Sequence, residues 1–221
     1  GGAYPTARAA ELLAGVIDAM RLAPVVRVAT SNGATVALEY NRLHANKVRA
    51  IALSILPLDR PSQTRDVDWR LRLAIPLHRR LLPDFHFRWW YRLIIEDTTH
   101  PGYVPSDEII DSVYDMANLP GAAERQRQYI DSNTRLFKAG DFGSVAAAAV
   151  RVPVLLQWCE LDTVISQGAE NSVRRFANAP VELVSYPDLG HFPMWEDPDR
   201  FSADLRRFLD SDIAHSFMCS P

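Results

Sequence analysis

Three side chains of the types that assemble a proton relay occur in this 221-residue chain in the order Ser31, Asp162, His191, the second 131 positions after the first and the third 29 after the second. A serine hydroxyl is a weak nucleophile until a neutral imidazole accepts its proton. A carboxylate then fixes the tautomer of that imidazole and stabilises it once charged. On this chemistry Ser31 reads as the nucleophile, His191 as the proton carrier and Asp162 as the orienting acid. Ser31 follows the apolar, β-branched run Val25-Val26-Arg27-Val28-Ala29 and precedes a helical pattern opening at Ala34-Thr35-Val36-Ala37-Leu38. Strand, sharp turn and helix form an elbow that holds its middle residue at strained backbone angles and lifts the hydroxyl above the sheet. The small residues Ala29 and Gly33 suit an elbow with little room. The backbone N–H of Asn32, next to the nucleophile at a helix start, is the candidate oxyanion donor.

Each residue also has a plainer reading. Ser31 taken alone serves equally as a helix N-cap, and a lone Asp after a strand, as Asp162 is, more often caps the next turn. A single histidine is more often structural or solvated, which is how His44, His78, His86, His100 and His215 are read. The joint order and spacing of 31, 162 and 191 favour the reactive reading for those three. Val164 and Phe192, flanking Asp162 and His191, are candidate substrate contacts and suggest an apolar pocket. Trp89 and Trp90, in the run Trp89-Trp90-Tyr91, read first as packing of a helical layer and second as a substrate platform. No spacing of His, Cys, Asp or Glu suggests a metal site and no Gly-rich phosphate loop appears, so neither a metal nor a cofactor is implied.

These residues must be positioned by a scaffold, and the pattern alternates: a helix over 6–21, a strand over 25–29, a helix over 32–44 and a strand over 48–55. Pro57 ends that rhythm. From about 60 to 150 the chain turns to arginine-rich amphipathic helices with aromatics, and the Ala146 to Ala149 run extends a helix. The alternation then returns with a strand over 152–158, a helix near 168–178, a strand over 181–186 and a helix over 198–209, with Asp197 as N-cap and Pro198 at its first position. The fold class is α/β: a parallel sheet flanked by helices with a helical layer inserted. Residues 1–58 and 151–221 are expected to form the core and 59–150 the cap.

Composition narrows the function. The hydrophobic content of 48% is ample for one domain with a sizeable core, and a net charge of −3 offers no face for nucleic acid. No apolar run approaches the roughly 18 residues of a membrane helix. Cys159 and Cys219 make no spacing motif and leave the redox compartment open. The start Gly1-Gly2-Ala3-Tyr4-Pro5 lacks a charged leader with an apolar core, which points to the cytoplasm.

Three stretches together carry a resemblance. Ala29-Thr30-Ser31-Asn32-Gly33 resembles G-x-S-x-G with alanine at the first glycine. Val154 to Asp162 resembles an acid-bearing strand and loop, and Gly190-His191-Phe192-Pro193 followed by Glu196-Asp197-Pro198 resembles the histidine stretch before a final helix. On these residues the chain resembles the α/β-hydrolase superfamily, and within it the enzymes with a helical cap. The resemblance implies a serine hydrolase acting on a small acyl-type substrate, most simply a carboxylic ester, through an acyl-enzyme. Similar epoxide hydrolases and haloalkane dehalogenases carry aspartate at the nucleophile position, so Ser31 points away from them. C–C bond hydrolysis of a diketone and perhydrolysis use the same triad in similar capped enzymes. Family members place the nucleophile later, after further strands and an H-G-x-P-type loop that gives a second oxyanion donor. By that resemblance the chain reads as cut inside the fold, which leaves a second expectation open: a catalytically impaired remnant that binds a ligand or partner. Its exposed sheet edge would then favour homo-oligomers.

Overall fold

The computed structural model describes residues 6–22, 24–58, 69–81, 86–138, 142–165 and 168–211. The Gly1 to Pro5 segment, His215, Cys219 and the side chain of His78 lie outside what is described. Strands β1 (Val25–Thr30), β2 (Val48–Ser54), β3 (Val154–Cys159) and β4 (Val181–Tyr186) form one parallel sheet in the order β1-β2-β3-β4. Helices α1 (Thr6–Ala19) and α2 (Asn32–Leu43) bracket β1. The connection from β2 to β3 holds α3 (Trp69–Leu81), α4 (Arg88–Thr98), α5 (Asp107–Ala117), α6 (Ala122–Lys138) and α7 (Phe142–Ala148). Helix α8 (Ala169–Arg175) joins β3 to β4, and α9 (Pro193–Glu196) and α10 (Pro198–Leu209) follow β4.

Side-chain alternation along the inner strands sets the layers. On one face Ile51, Leu53, Val154 and Leu156 meet Ala10, Ala14 and Ile17 of α1 and Ala34, Ala37 and Leu38 of α2. On the other, Ala50, Ala52 and Leu155 meet Phe208 of α10, whose ring is fully buried. The two alanines leave room for that ring, and the two sets sit one residue apart, as a strand's period of two requires. Strand β3 has a partner on each side and a layer on each face. It is buried at every position, which is why it reads as a near-continuous apolar run. Its one amide, Gln157, donates from Nε2 to the Tyr186 hydroxyl at 2.8 Å and the Phe201 carbonyl at 3.1 Å, while its Oε1 is buried without a hydrogen-bond partner among the described residues. Strand β1 lies at an edge and leaves Val28 half exposed.

Element ends differ from the sequence expectation by a few residues, each for a local reason. Helix α1 stops before Arg21, which takes a left-handed φ of 56°, and the Leu22 N–H closes the end on Ile17 O. Strand β3 begins at Val154 because Pro153 has no N–H to give the ladder. Strand β2 ends at Ser54 because Ile55 turns to φ 51°. Asp197 caps α10 as expected, its Oδ1 accepting from Arg200 N–H at 3.1 Å, with Pro198 at the first position.

Between β2 and β3, α4 and α5 pack through Trp90 and Tyr91 against Leu93, Ile94, Val113, Tyr114 and Ala117. Arg88 pairs with Asp107 and Asp111 at the rim, and Arg92 with Asp107. Such exposed pairs stabilise little, so the aromatic pair carries the packing. Within the stretch expected as a separate layer, Ala146, Ala147 and Val150 pack into the sheet's own core.

Candidate active site

The parallel strands all end at one rim of the sheet, and Ser31, Asp162 and His191 meet there. Ser31 joins β1 to α2 with φ 49° and ψ −129°, a left-handed backbone that costs a non-glycine residue about 1–3 kcal/mol. Its N–H donates to Ser54 O at 3.0 Å, and its carbonyl accepts from Ala34 N–H at 2.9 Å. Its hydroxyl makes no bond to the helix end, so the side chain is not spent on capping. Instead Oγ lies 3.1 Å from Nε2 of His191.

Nδ1 of His191 lies 3.0 Å from Oδ1 of Asp162, and the same oxygen accepts from Val164 N–H at 2.8 Å and Ile165 N–H at 3.4 Å. An ionised carboxylate only accepts, so this network assigns the proton to Nδ1 and leaves Nε2 free to accept from the serine. Both side chains are nearly closed to solvent, Asp162 at 1% and His191 at 7% exposure. An ion pair formed there on proton transfer is weakly screened. The turn after β2 adds strain at the same rim: Ile55 is β-branched yet holds φ 51°, and its N–H donates to Gln157 O at 3.4 Å. Nothing in the sequence marks that position.

The other expected site residues fall in different places. Asn32 is the first residue of α2, beside Ser31. Phe192 sets its ring edge-on to His191 at 4.9 Å between centroids and stacks on Trp195 at 4.4 Å. The Val164 side chain packs against the cluster of Ile55, Trp158, Cys159, Ile165, Tyr186 and Leu189, while its N–H serves Asp162. Trp90 is buried in the α4–α5 core, and Trp89 is half exposed and stacked on Phe87. Gly33 has φ outside the left-handed range and space around it, since an added Cβ would meet nothing within 4 Å among the described residues. The small size expected there therefore answers no steric demand in this structure.

Sequence reasoning left two partners of the histidine loop unassigned. The Glu196 carboxylate, fully buried, accepts from the N–H groups of Gly190, Phe192 and His100 and from the His100 ring. His191 N–H donates to Thr98 O, at the end of α4, at 2.8 Å. Cys159 is a free, buried thiol. Desolvation, and then the nearby Glu196 and Asp162 charges, push its pKa well above the ordinary thiol value, so it stays protonated and unreactive. Burial likewise pushes the Tyr91 phenol up to about 12. Among the described residues no group of three or more His, Cys, Asp or Glu is placed to hold a metal ion, and no helix is long and apolar enough to cross a membrane.

A parallel α/β sheet with its polar side chains gathered at the strand ends, one of them on a strained strand-to-helix turn, defines a class of α/β proteins that do their chemistry at that rim. The chain belongs to the alpha/beta hydrolase family, whose family model matches residues 1–204. Comparison with curated proteins finds no match. Solved structures with the same fold include a membrane phospholipase A described as a bacterial virulence factor, with a TM-score of 0.72 and 18% identity over 99% of this chain and 66% of that one. The 2-hydroxy-6-oxo-6-phenylhexa-2,4-dienoate hydrolase of Rhodococcus sp. strain RHA1 gives 0.67 and 18% over 91% and 69%. A serine hydrolase involved in carbazole degradation gives 0.68 and 20% over 94% and 72%. The chain thus spans about two thirds of the length of these structures.

Proposed function

We propose that this protein is a serine hydrolase of a small acyl-type substrate, most simply a carboxylic ester, working through an acyl-enzyme on Ser31. The observation that carries the reading is the unbroken relay from Ser31 Oγ to His191 Nε2 at 3.1 Å and from His191 Nδ1 to Asp162 at 3.0 Å, with the serine on a strained turn. Family membership and the hydrolase fold of the structural relatives agree with it.

In this mechanism His191 Nε2 takes the Ser31 proton as Oγ attacks the carbonyl carbon, and Asp162 stabilises the imidazolium that forms. The Asn32 N–H donates to the oxyanion of the tetrahedral intermediate, a role whose loss in related hydrolases costs about 3 kcal/mol. The intermediate collapses, the leaving alcohol takes the proton from His191, and the acyl group stays on Oγ. Water, deprotonated by His191, then attacks the ester so formed, and the imidazolium returns that proton to Ser31 Oγ as the bond breaks and the acid leaves. Phe192, held edge-on to the imidazole, forms an apolar wall of the acyl site. Helices α3 to α6 form the cap, anchored to the histidine loop by the bond from His191 N–H to Thr98 O, while α7 packs with the sheet.

The test is release of nitrophenolate from p-nitrophenyl acetate and butyrate by the wild type and by Ser31→Ala. Turnover present in the first and absent in the second supports the reading. Equal release by both overturns it, and cleavage of a diketone with no ester turnover moves the chemistry to C–C hydrolysis.

A further inference from the structure

Resting on the hydrolase reading, we infer that Glu196 is a positioning residue for His191, and that the start of the α4–α5 connection at Thr99 and His100 is the other half of that device. The Glu196 side chain is 0% exposed. Its Oε2 accepts from Gly190 N–H at 2.8 Å, from His100 N–H at 2.7 Å and from His100 Nδ1 at 2.7 Å, and its Oε1 accepts from Phe192 N–H at 2.9 Å. The N–H between those two, that of His191, is held by Thr98 O at 2.8 Å. Three consecutive backbone N–H groups centred on the histidine are therefore each fixed. The residue cannot turn its Cα–Cβ direction without breaking at least one bond to a buried acceptor.

The arrangement exceeds what a helix end needs. Reaching back to Phe192 N–H satisfies the start of the one-turn helix α9, as a capping glutamate does. The bonds to Gly190 and to both donors of His100 add nothing to that helix. The Gly190 bond ties the loop to itself, and the His100 bonds clamp it onto a segment 96 positions away in sequence. Gly190 completes the clamp, since a Cβ there would lie 2.6–2.8 Å from Thr99 C, Thr99 Cα and His100 N, so the two backbones are in direct contact. A buried carboxylate is tolerated when several N–H groups surround it. The four donors here converge on Glu196 from both sides of the junction. His100, which accepts no reactive role in the relay, donates from Nδ1 to this carboxylate, so its tautomer is set by the same group.

The test uses the full chain and a fluorophosphonate probe, with the labelling rate as a measure of Ser31 activated by His191. Glu196→Gln keeps the shape but replaces one acceptor oxygen by an NH₂ that faces N–H donors. Its expected result is a labelling rate and kcat lowered roughly 10- to 100-fold, with KM for a p-nitrophenyl ester within about threefold of wild type, the pattern of lost alignment and not of lost binding. His100→Gln, whose amide can still donate to Glu196, is expected to label faster than His100→Ala. Labelling of Glu196→Gln at the wild-type rate overturns the inference, as does a raised KM with unchanged kcat. If Glu196→Gln fails to fold by far-UV circular dichroism, the His100 pair decides: equal wild-type rates in both overturn it. Failure of the underlying hydrolase reading looks different, because wild type itself would then take no label.

Discussion

Gly190→Ala is the substitution whose outcome the structure fixes most tightly. The new Cβ would sit 2.6 Å from Thr99 C, 2.7 Å from His100 N and 2.8 Å from Thr99 Cα, against an ordinary contact of 3.4–4 Å. All three obstacles are backbone, so no side chain can swing aside, and the two segments must part by about 0.8 Å to restore normal contact. The same segments are joined by bonds of 2.7–2.8 Å from His191 N–H to Thr98 O and from His100 N–H to Glu196. Parting them stretches these to about 3.5 Å or more, beyond useful hydrogen bonding. Over-packing of this kind costs about 1–3 kcal/mol, and for a domain of this length each kcal/mol lowers Tm by roughly 2–4 °C. The expected fall is therefore about 2–12 °C. His191 is the next residue, and a displacement near 1 Å at a reacting group lowers rate by about 100-fold. Thermal melting and p-nitrophenyl ester kinetics on the purified variant check both numbers. A Gly190→Ala protein with unchanged Tm and unchanged kcat would refute the claim that this junction positions the histidine.

Three further outcomes follow from named contacts. Asp162→Asn is expected to lose much less than the roughly 10,000-fold seen when such a change forces the wrong tautomer: the Val164 and Ile165 N–H groups keep an oxygen at the Oδ1 position, so His191 Nδ1 can still donate there and only the charge is lost. A loss of that full size in ester kcat would show that the amide flips. Phe208→Ala removes a fully buried ring packed on Ala50, Ala52 and Leu155 and should destabilise by about 3–5 kcal/mol, read as the shift of a urea midpoint; a shift under 1 kcal/mol would contradict that packing. Gly33→Ala, near the start of α2 with open space for its Cβ, should leave Tm unchanged or raised because alanine favours the helix, and a fall in Tm would show that the elbow needs glycine after all.

The elements most legible in the sequence were those whose pattern and position coincide. The apolar run at 152–158 marks the central strand observed at 154–159, the 198–209 helix is announced by Asp197 and Pro198, and the turn at Ser31 lies where a β-branched run gives way to helical spacing. The grouping of Ser31, Asp162 and His191 was legible because each lies in a distinctive local setting, and the structure brings them within 3.0–3.1 Å of each other in turn. Ile55 was not, since a β-branched residue is the last type that composition would assign to φ 51°. Glu196 stood in a quoted stretch, yet its four donors come from residues 190, 192 and 100, and contacts across 96 positions leave no periodic trace. Gly33 misled in the opposite sense: the residue type suggested crowding, while the helix start places its Cα toward open space. The alanine run at 146–149 correctly signalled helix, but propensity says nothing of which layer a helix joins, and Ala146 and Ala147 pack with the sheet.

Activation of Ser31 by His191 is read out by intact-mass analysis after fluorophosphonate treatment, because the probe bonds to a serine whose proton a neighbouring base removes. One adduct per folded chain is expected, mapped to the peptide holding Ser31 and lost in both Ser31→Ala and His191→Ala. Folded wild-type protein that takes no label, or an adduct that persists in Ser31→Ala, would rule out activation of Ser31 by His191.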